Sequence, residues 1–287
     1  MRLLAAIILS TLFLVSPAQA EPVNWLMPAY PPAYIPEHGE TDRRWVGGGF
    51  AEQIQTWFTG HTTGYESEPI DASMSRIMSL MQSPGDKIYC LATTNPTESR
   101  ATFMAFSAPL YLQPSNRVIV RTDRLALVAP YLDAAGVIDL PALLRDPKAA
   151  GSVASGRVYS NRIDSALALA PDVDRQSSIQ TPPKLLLAGR ADWIVAYPRE
   201  IEWAWRAGGG DAAAETRPYR TYAIAGEPPF IPSHIGCSKN AAGKRFIDQV
   251  DKAIAANPAR PWRLYMLAWL DREDRTAVEA AEPAGTR

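Results

Sequence analysis

The chain has 287 residues with 29 basic and 30 acidic side chains, so its net charge is −1 at neutral pH. That balance, with no basic stripe along the chain, excludes nucleic acid as an expected partner. Hydrophobic residues make up 47% of the chain and proline fills 25 positions, which fits a globular protein with many rigid turns.

Arg2 is followed by an apolar run from Leu3 to Val15, broken only by Ser10 and Thr11, and then by the small-x-small triplet Ala18-Gln19-Ala20. This is the pattern of a secretory signal over residues 1–20, with the mature chain starting at Glu21. The run is shorter than the roughly 20 residues that a membrane span needs, and no cysteine marks a lipid anchor. The remaining length suits one large domain or two lobes of about 100–150 residues each. The only cysteines are Cys90 and Cys237. In an exported chain an even count favours a disulfide, and two buried thiols are the alternative. His38, His61 and His234 have no metal-ligand spacing.

Val23 to Met27 reads as a strand ending at Pro28, followed by a proline and tyrosine loop. Gly49-Phe50 opens a helix on which Ile54, Trp57 and Phe58 have helical spacing. Tyr65 to Ile70 reads as a second strand, and Asp71 as the N-cap of a helix through Met81. Lys87 to Ala92 is a third strand. It leads into a polar segment from Thr94 that carries Arg100, then Phe106-Ser107, Pro109 and Tyr111. Strands alternating with helices argue for an α/β fold with parallel pairs.

Leu112 to Val118 reads as an extended crossing into a second lobe. That lobe holds a short helix over Leu140–Arg145, a strand over Gly151–Ser155, and a turn through Gly156, Arg157, Tyr159 and Ser160 that opens a helix. Thr181 is placed as an N-cap with Pro182 in the first turn, Gly189 ends that helix, and Asp192–Tyr197 is a strand. Arg217–Ile224 is read as the return to the first lobe. There Ile235–Lys239 forms a strand and Ala242–Ala256 a helix with Phe246, Ile247, Val250 and Ile254 inward. Trp262–Leu270 is read as a further, largely buried helix. These readings give lobe one as residues 21–111 and 222–275, lobe two as 112–221, and a disordered tail over 276–287.

The run from Thr94 through Arg100 to Phe106-Ser107, Pro109 and Tyr111 resembles the family 3 extracellular solute-binding proteins, periplasmic proteins that deliver polar amino acids to importers. The Pro31-Pro32 loop, Gly49-Phe50 and the Gly189-Arg190-Ala191-Asp192 return are similar to that family too. The likeness spans about residues 22–272 and extends to a less characterised exported branch of the superfamily. It implies an α/β, two-lobed periplasmic binding fold of the second type, each lobe a mixed sheet flanked by helices. In the family the arginine grips a ligand carboxylate in the interlobe cleft, so the resemblance gives Arg100 that role. A guanidinium fork matches a carboxylate with two parallel bonds; the plain alternative is a surface arginine paired with a nearby acid. The turn at Gly156 corresponds to a helix N-terminus that meets the ligand acid group, which places Gly156, Arg157, Tyr159 and Ser160 at that end, with Tyr159 and Ser160 at the ligand. Tyr30, Tyr34 and Tyr197, at strand ends, are the expected pocket walls, whereas Trp25 and Trp193 read as core.

One departure matters. Where the family often carries an acid to hold a ligand ammonium, this chain has Tyr197-Pro198, with Glu200 a little later. A small anionic ligand is therefore expected in place of an α-amino acid. The resemblance also sets the third strand beside the returning strand of lobe one, which would pair Cys90 with Cys237. The expected function is a periplasmic solute-binding protein that closes on this ligand and serves a membrane permease or a sensor receptor, itself a monomer. The alternatives are an accessory or partner-binding protein that keeps the fold without transport, and an envelope hydrolase. No nucleophile elbow or phosphate loop occurs, so no enzyme activity, catalytic residue, cofactor or metal is expected.

Overall fold

A computed structural model of the chain describes residues 20–36 and 47–282. The leader expected over 1–20 lies, apart from Ala20, outside the described residues. β1 (Glu21–Met27) begins at the residue after the small-x-small triplet. It is buried continuously from Val23 to Met27, because a strand covered on both faces has no polar side to alternate with. β1 lies between β2 (Tyr65–Asp71) and β3 (Ile88–Thr94), parallel to both. α1 (Phe50–Gly60) and α2 (Met74–Gln82) make the crossovers. β2 is the edge, and its Glu66, Glu68 and Pro69 are exposed, which blunts pairing with another chain.

One detail differs from expectation here. Asp71 does not cap α2, because β2 stays paired with β1 up to the Met27–Asp71 pair. The helix starts two residues later, and Ser73 is its N-cap, accepting the Arg76 amide at 3.4 Å. At α1 the close backbone approach falls on Gly49: a Cβ there would stand 2.2 Å from the Ala33 carbonyl oxygen. That contact seats the 30–36 loop on the start of the helix. The buried Glu52 fixes it further, accepting the amides of Ile35 at 2.6 Å and Gly47 at 2.7 Å.

After α3 (Glu98–Ala101), β4 (Met104–Phe106) and β5 (Tyr111–Pro114) both pair antiparallel with the long returning strand β11 (Phe230–Ser238). The first sheet has the order β2-β1-β3-β11-β4, with β5 joined to β11. Cys237 lies opposite Cys90 in the β3–β11 register, and the two form a disulfide. The pairing expected from the resemblance is present.

The second sheet has the order β10-β6-β9-β7-β8. β6 (Arg117–Arg121), α4 (Leu125–Val128), α5 (Leu140–Leu144), β7 (Gly151–Ala154), α6 (Asn161–Ala168), β8 (Asp174–Gln176), α7 (Thr181–Leu187), β9 (Trp193–Ala196), α8 (Pro198–Ala207) and β10 (Tyr219–Tyr222) follow in chain order. β7, β8 and β9 are parallel, and β6 runs antiparallel to β9 and β10. Gly151 is required by close packing: a Cβ there would stand 2.0 Å from the Trp193 ring. Thr181 is the first residue of α7, and Gln180 occupies the cap. The molecule therefore has two mixed sheets flanked by helices, as the resemblance implied.

The return to the first sheet comes later than 217–224. β10 belongs to the second sheet, and Ile224 packs in the core of Val118, Ile138 and Trp193. The crossings are residues 115–116 and 226–229, since Ile224 still pairs with Ile138 of the second lobe; they are tied where Ser115 donates its hydroxyl to the Pro228 carbonyl at 2.5 Å.

α9 (Ala241–Ala256), α10 (Arg263–Leu267) and α11 (Arg272–Ala281) close the first lobe. Trp262 is fully buried and donates its indole N–H to the Leu110 carbonyl at 3.0 Å. Leu264 faces outward, 58% exposed, so the 262–270 segment is less buried than its composition suggests. The disordered tail expected over 276–287 is corrected through residue 281. Asp271 caps α11 by accepting the Asp274 amide at 2.8 Å, and Val278 is fully buried.

Asp274 on α11 is buried, with the Arg117 guanidinium 3.8 Å away. Burial pushes its carboxyl up to about 7, Asp271 adds to the rise, and Arg117 opposes it. The unfolded chain titrates near pH 3.9, so between these values the folded state holds a proton that the unfolded state has released. The stability from this group is full below about pH 4 and is lost as pH rises through 7. Asp274→Asn is expected to flatten that decline, which amounts to at most about 4 kcal/mol. Urea denaturation from pH 4 to 8 checks this; a variant with the wild-type slope contradicts it.

Candidate functional site

The start of α8 projects from the second sheet toward the first. Pro198 occupies its first turn, where a missing N–H costs nothing. Glu200 folds back and accepts the Tyr197 amide at 3.2 Å. Its carboxylate also accepts the Tyr30 hydroxyl at 2.9 Å and Arg157 Nη1 at 2.7 Å. Tyr30 comes from the loop after β1, so this contact joins the two lobes. Two more contacts do the same: Asn95 donates to the Tyr197 hydroxyl at 3.1 Å, and Arg199 Nη1 donates to Gln113 Oε1 at 2.6 Å.

Arg157 lies at the centre. Its guanidinium carbon is 4.8 Å from the ring centroids of both Tyr159 and Tyr197 and 5.9 Å from that of Tyr30. Nη2 donates to Asn116 Oδ1 at 3.0 Å. Burial alone would push this guanidinium down; the Glu200 carboxylate, with Tyr30 and Tyr159, outweighs burial and holds it firmly charged. Burial likewise pushes the Tyr30 phenol up, Arg157 opposing, so it stays a neutral donor to Glu200.

Arg100 occupies the same cleft from α3. Nη1 donates to Thr94 Oγ1 at 2.9 Å and to the Asn95 carbonyl at 3.0 Å. Among the described residues it has no carboxylate partner. Burial pushes its guanidinium down, and Tyr197 and Tyr30 are near enough to oppose that shift. The surface ion pair that was the plain alternative is not formed within the described residues.

Of the six residues expected at the ligand, Arg100, Tyr30, Tyr159 and Tyr197 gather here. Tyr34 does not. It is 2% exposed in the first core, where its hydroxyl accepts the Ala92 amide at 3.1 Å; the 30–36 loop turns that ring inward beneath Gly49. Ser160 is occupied as the N-cap of α6, accepting the Ile163 amide at 3.1 Å and donating to Glu227 at 2.8 Å. Arg157, expected at a ligand acid group, is instead paired with an acid of the chain itself. Asn95, Gln113, Asn116 and Arg199 were not expected here. Glu200 stands displaced from the family position; Pro198 with an acid two residues on is a helix-start signal that places its carboxylate at the cleft.

Among the described residues, no group of three or more His, Cys, Asp or Glu side chains could hold a metal ion. No helix among them is long and apolar enough to cross a membrane. No protein-family model matches the chain, and no curated protein matches it. Solved structures do. One is an amino-acid ABC transporter substrate-binding protein from Streptococcus pneumoniae bound to L-arginine: TM-score 0.59, 16% identity, covering 89% of this chain and 96% of that one. Another is the probable amino-acid ABC transporter extracellular-binding protein YtmK of Bacillus subtilis: TM-score 0.60, 10% identity, covering 88% and 99%. A third is the periplasmic VFT2 domain of BvgS from Bordetella pertussis: TM-score 0.56, 15% identity, covering 86% and 93%. At these identities the likeness shows the fold: this chain has the two-lobed architecture of the solute-binding proteins, on a divergent sequence.

Proposed function

We propose that the protein is an exported solute-binding module that closes its lobes on a small carboxylate-bearing ligand held by Arg100. The observation that carries this reading is a largely buried guanidinium in the cleft with no carboxylate partner among the described residues. Such a group gains a charge-assisted, bidentate partner when an acid enters. The L-arginine named with the Streptococcus pneumoniae structure carries both a carboxylate and a cationic side chain. That likeness supports the carboxylate and does not favour a net anion. The preference for an anion rests on this chain: Glu200, the acid that could hold a ligand cation, already bears Arg157. Arg100, Tyr30, Tyr159 and Tyr197 form the ligand site, and the crossings at 115–116 and 226–229 are the hinge. The module works in the periplasm, as a monomer, beside a permease or a receptor, and its role is binding, not catalysis.

A second reading, an accessory protein that keeps the fold without transport, is favoured by one observation. The lobes are already joined by the chain's own Tyr30–Glu200 and Asn95–Tyr197 bonds. A thermal-shift screen of small carboxylic acids, each beside its amide, separates the two. Stabilisation by an acid and not by its amide supports transport or sensing through the cleft. No response to any acid favours the accessory role.

A further inference from the structure

The surroundings of Arg157 have the chemistry of a receptor for a cation. A guanidinium lies against three tyrosine rings, with a buried carboxylate on one nitrogen and an amide oxygen on another. Flat, weakly hydrated cations favour such aromatic faces. The partners come from separate places: Tyr30 from the first lobe, Asn116 from a crossing, and Tyr197 and Glu200 from the β9–α8 junction. The occupant comes from a short surface turn between β7 and α6. Its neighbour Val158 is 71% exposed, while the Arg157 side chain is only 6% exposed. The turn is held independently of Arg157, because the Tyr159 hydroxyl accepts the Ala154 amide at 2.9 Å.

We infer that Tyr30, Tyr159, Tyr197, Asn116 and Glu200 form a guanidinium-binding site that the chain fills with its own Arg157. The side chain stands where a cationic ligand would stand. It neutralises Glu200, bars free cations from this part of the cleft and packs on the face of the Tyr30 ring from the other lobe. Arg157 is thus a specificity-determining residue: with it in place, the Glu200 carboxylate is not free to hold an incoming cation. This inference does not rest on the role of Arg100.

Removing the occupant tests it. Arg157→Ala leaves Glu200 buried and unpaired beside an empty cage, and a free guanidinium can refill the place. The probe is methylguanidinium, which has no carboxylate, at matched ionic strength, followed by thermal unfolding. Arg157→Ala should melt below wild type and gain a saturable rise of about 3 °C with the probe. Wild type should not respond, and Arg157→Ala/Glu200→Gln should lose the rise. A folded Arg157→Ala without a saturable rise overturns the inference, as does an equal rise in wild type. If Arg157→Ala does not fold, Arg157→Met, which keeps the apolar stem, takes its place. If neither folds even when refolded with the probe, Arg157 is a structural element and the inference fails. Because the probe lacks an acid group, either outcome leaves the carboxylate reading of Arg100 to its own test.

Discussion

Replacing both Cys90 and Cys237 with alanine is expected to lower the stability of the folded protein by about 3–5 kcal/mol. The bridge joins residues 147 apart in sequence, and closing so long a loop removes much of the freedom of the unfolded chain. The chain-entropy relation gives about 5 kcal/mol as the upper figure, and residual compactness of the unfolded chain brings it down. The bridge also sits at a mechanical join. β11 is the strand that returns from the second lobe, and β3 is the strand that leads to Arg100. Loss of the covalent tie should therefore loosen the floor of the cleft as well as lower global stability. Urea denaturation of the wild type with and without reductant, and of the double variant, reads the effect. Reduced wild type and the double variant should unfold at similar, lower urea concentrations. Equal midpoints in all three samples, with free thiols verified after reduction, would contradict the expectation.

A comparable loss is expected from Glu202→Ala. Glu202 lies one turn beyond the cleft on α8, with its carboxyl 1% exposed. It accepts Arg206 Nε at 2.8 Å, Arg217 Nε at 2.8 Å, Arg217 Nη2 at 2.9 Å and the Tyr219 hydroxyl at 2.5 Å. Burial alone would raise this carboxyl; the bonds from Arg217, Tyr219 and Arg206 outweigh it and hold the group below the usual carboxylate range. Its stabilising contribution is therefore present above the unfolded value near 4.3 and is lost as pH falls through the lower folded value. Truncation takes the shared acceptor from two partly exposed guanidiniums and a buried phenol, a change that costs about 3 kcal/mol. Glu202→Gln keeps the shape and some acceptor capacity and should lose less. If Glu202→Ala unfolds at the wild-type urea midpoint at pH 7, the cluster contributes no net stability.

The first sheet was legible in the sequence because its strands declare themselves locally. β1 and β3 are apolar runs bounded by Pro28 and by Pro84-Gly85, and β11 carries the cysteine that complements Cys90. β10 was misplaced for the opposite reason. Tyr-Arg-Thr-Tyr over residues 219–222 is a weak strand signal, and its partner β6 lies about 100 residues earlier. Nothing local says which sheet it joins. α11 is faint in the sequence because it presents one large buried apolar side chain, Val278, although Asp271 followed by two acids is a readable helix start. At the site, Arg100 is singled out by a local motif. The pairing of Arg157 with Glu200 has no such signal, since it depends on β7 and β9 being neighbours in the sheet. Tyr30 and Tyr34 looked alike in the sequence; which of them faces the cleft is decided by the seating of their loop against Gly49.

The proposed grip of Arg100 on a ligand carboxylate is tested by calorimetric titration of the best acid from the screen into wild type, Arg100→Ala and Arg100→Lys. Losing a buried, charge-assisted pair costs about 2–5 kcal/mol, or about 30-fold to several thousand-fold in affinity. The account predicts that loss for Arg100→Ala and a substantial part of it for Arg100→Lys, because an ammonium cannot reproduce the two-pronged geometry. Equal affinity in the three proteins would contradict it and move Arg100 to a structural role at the end of β3.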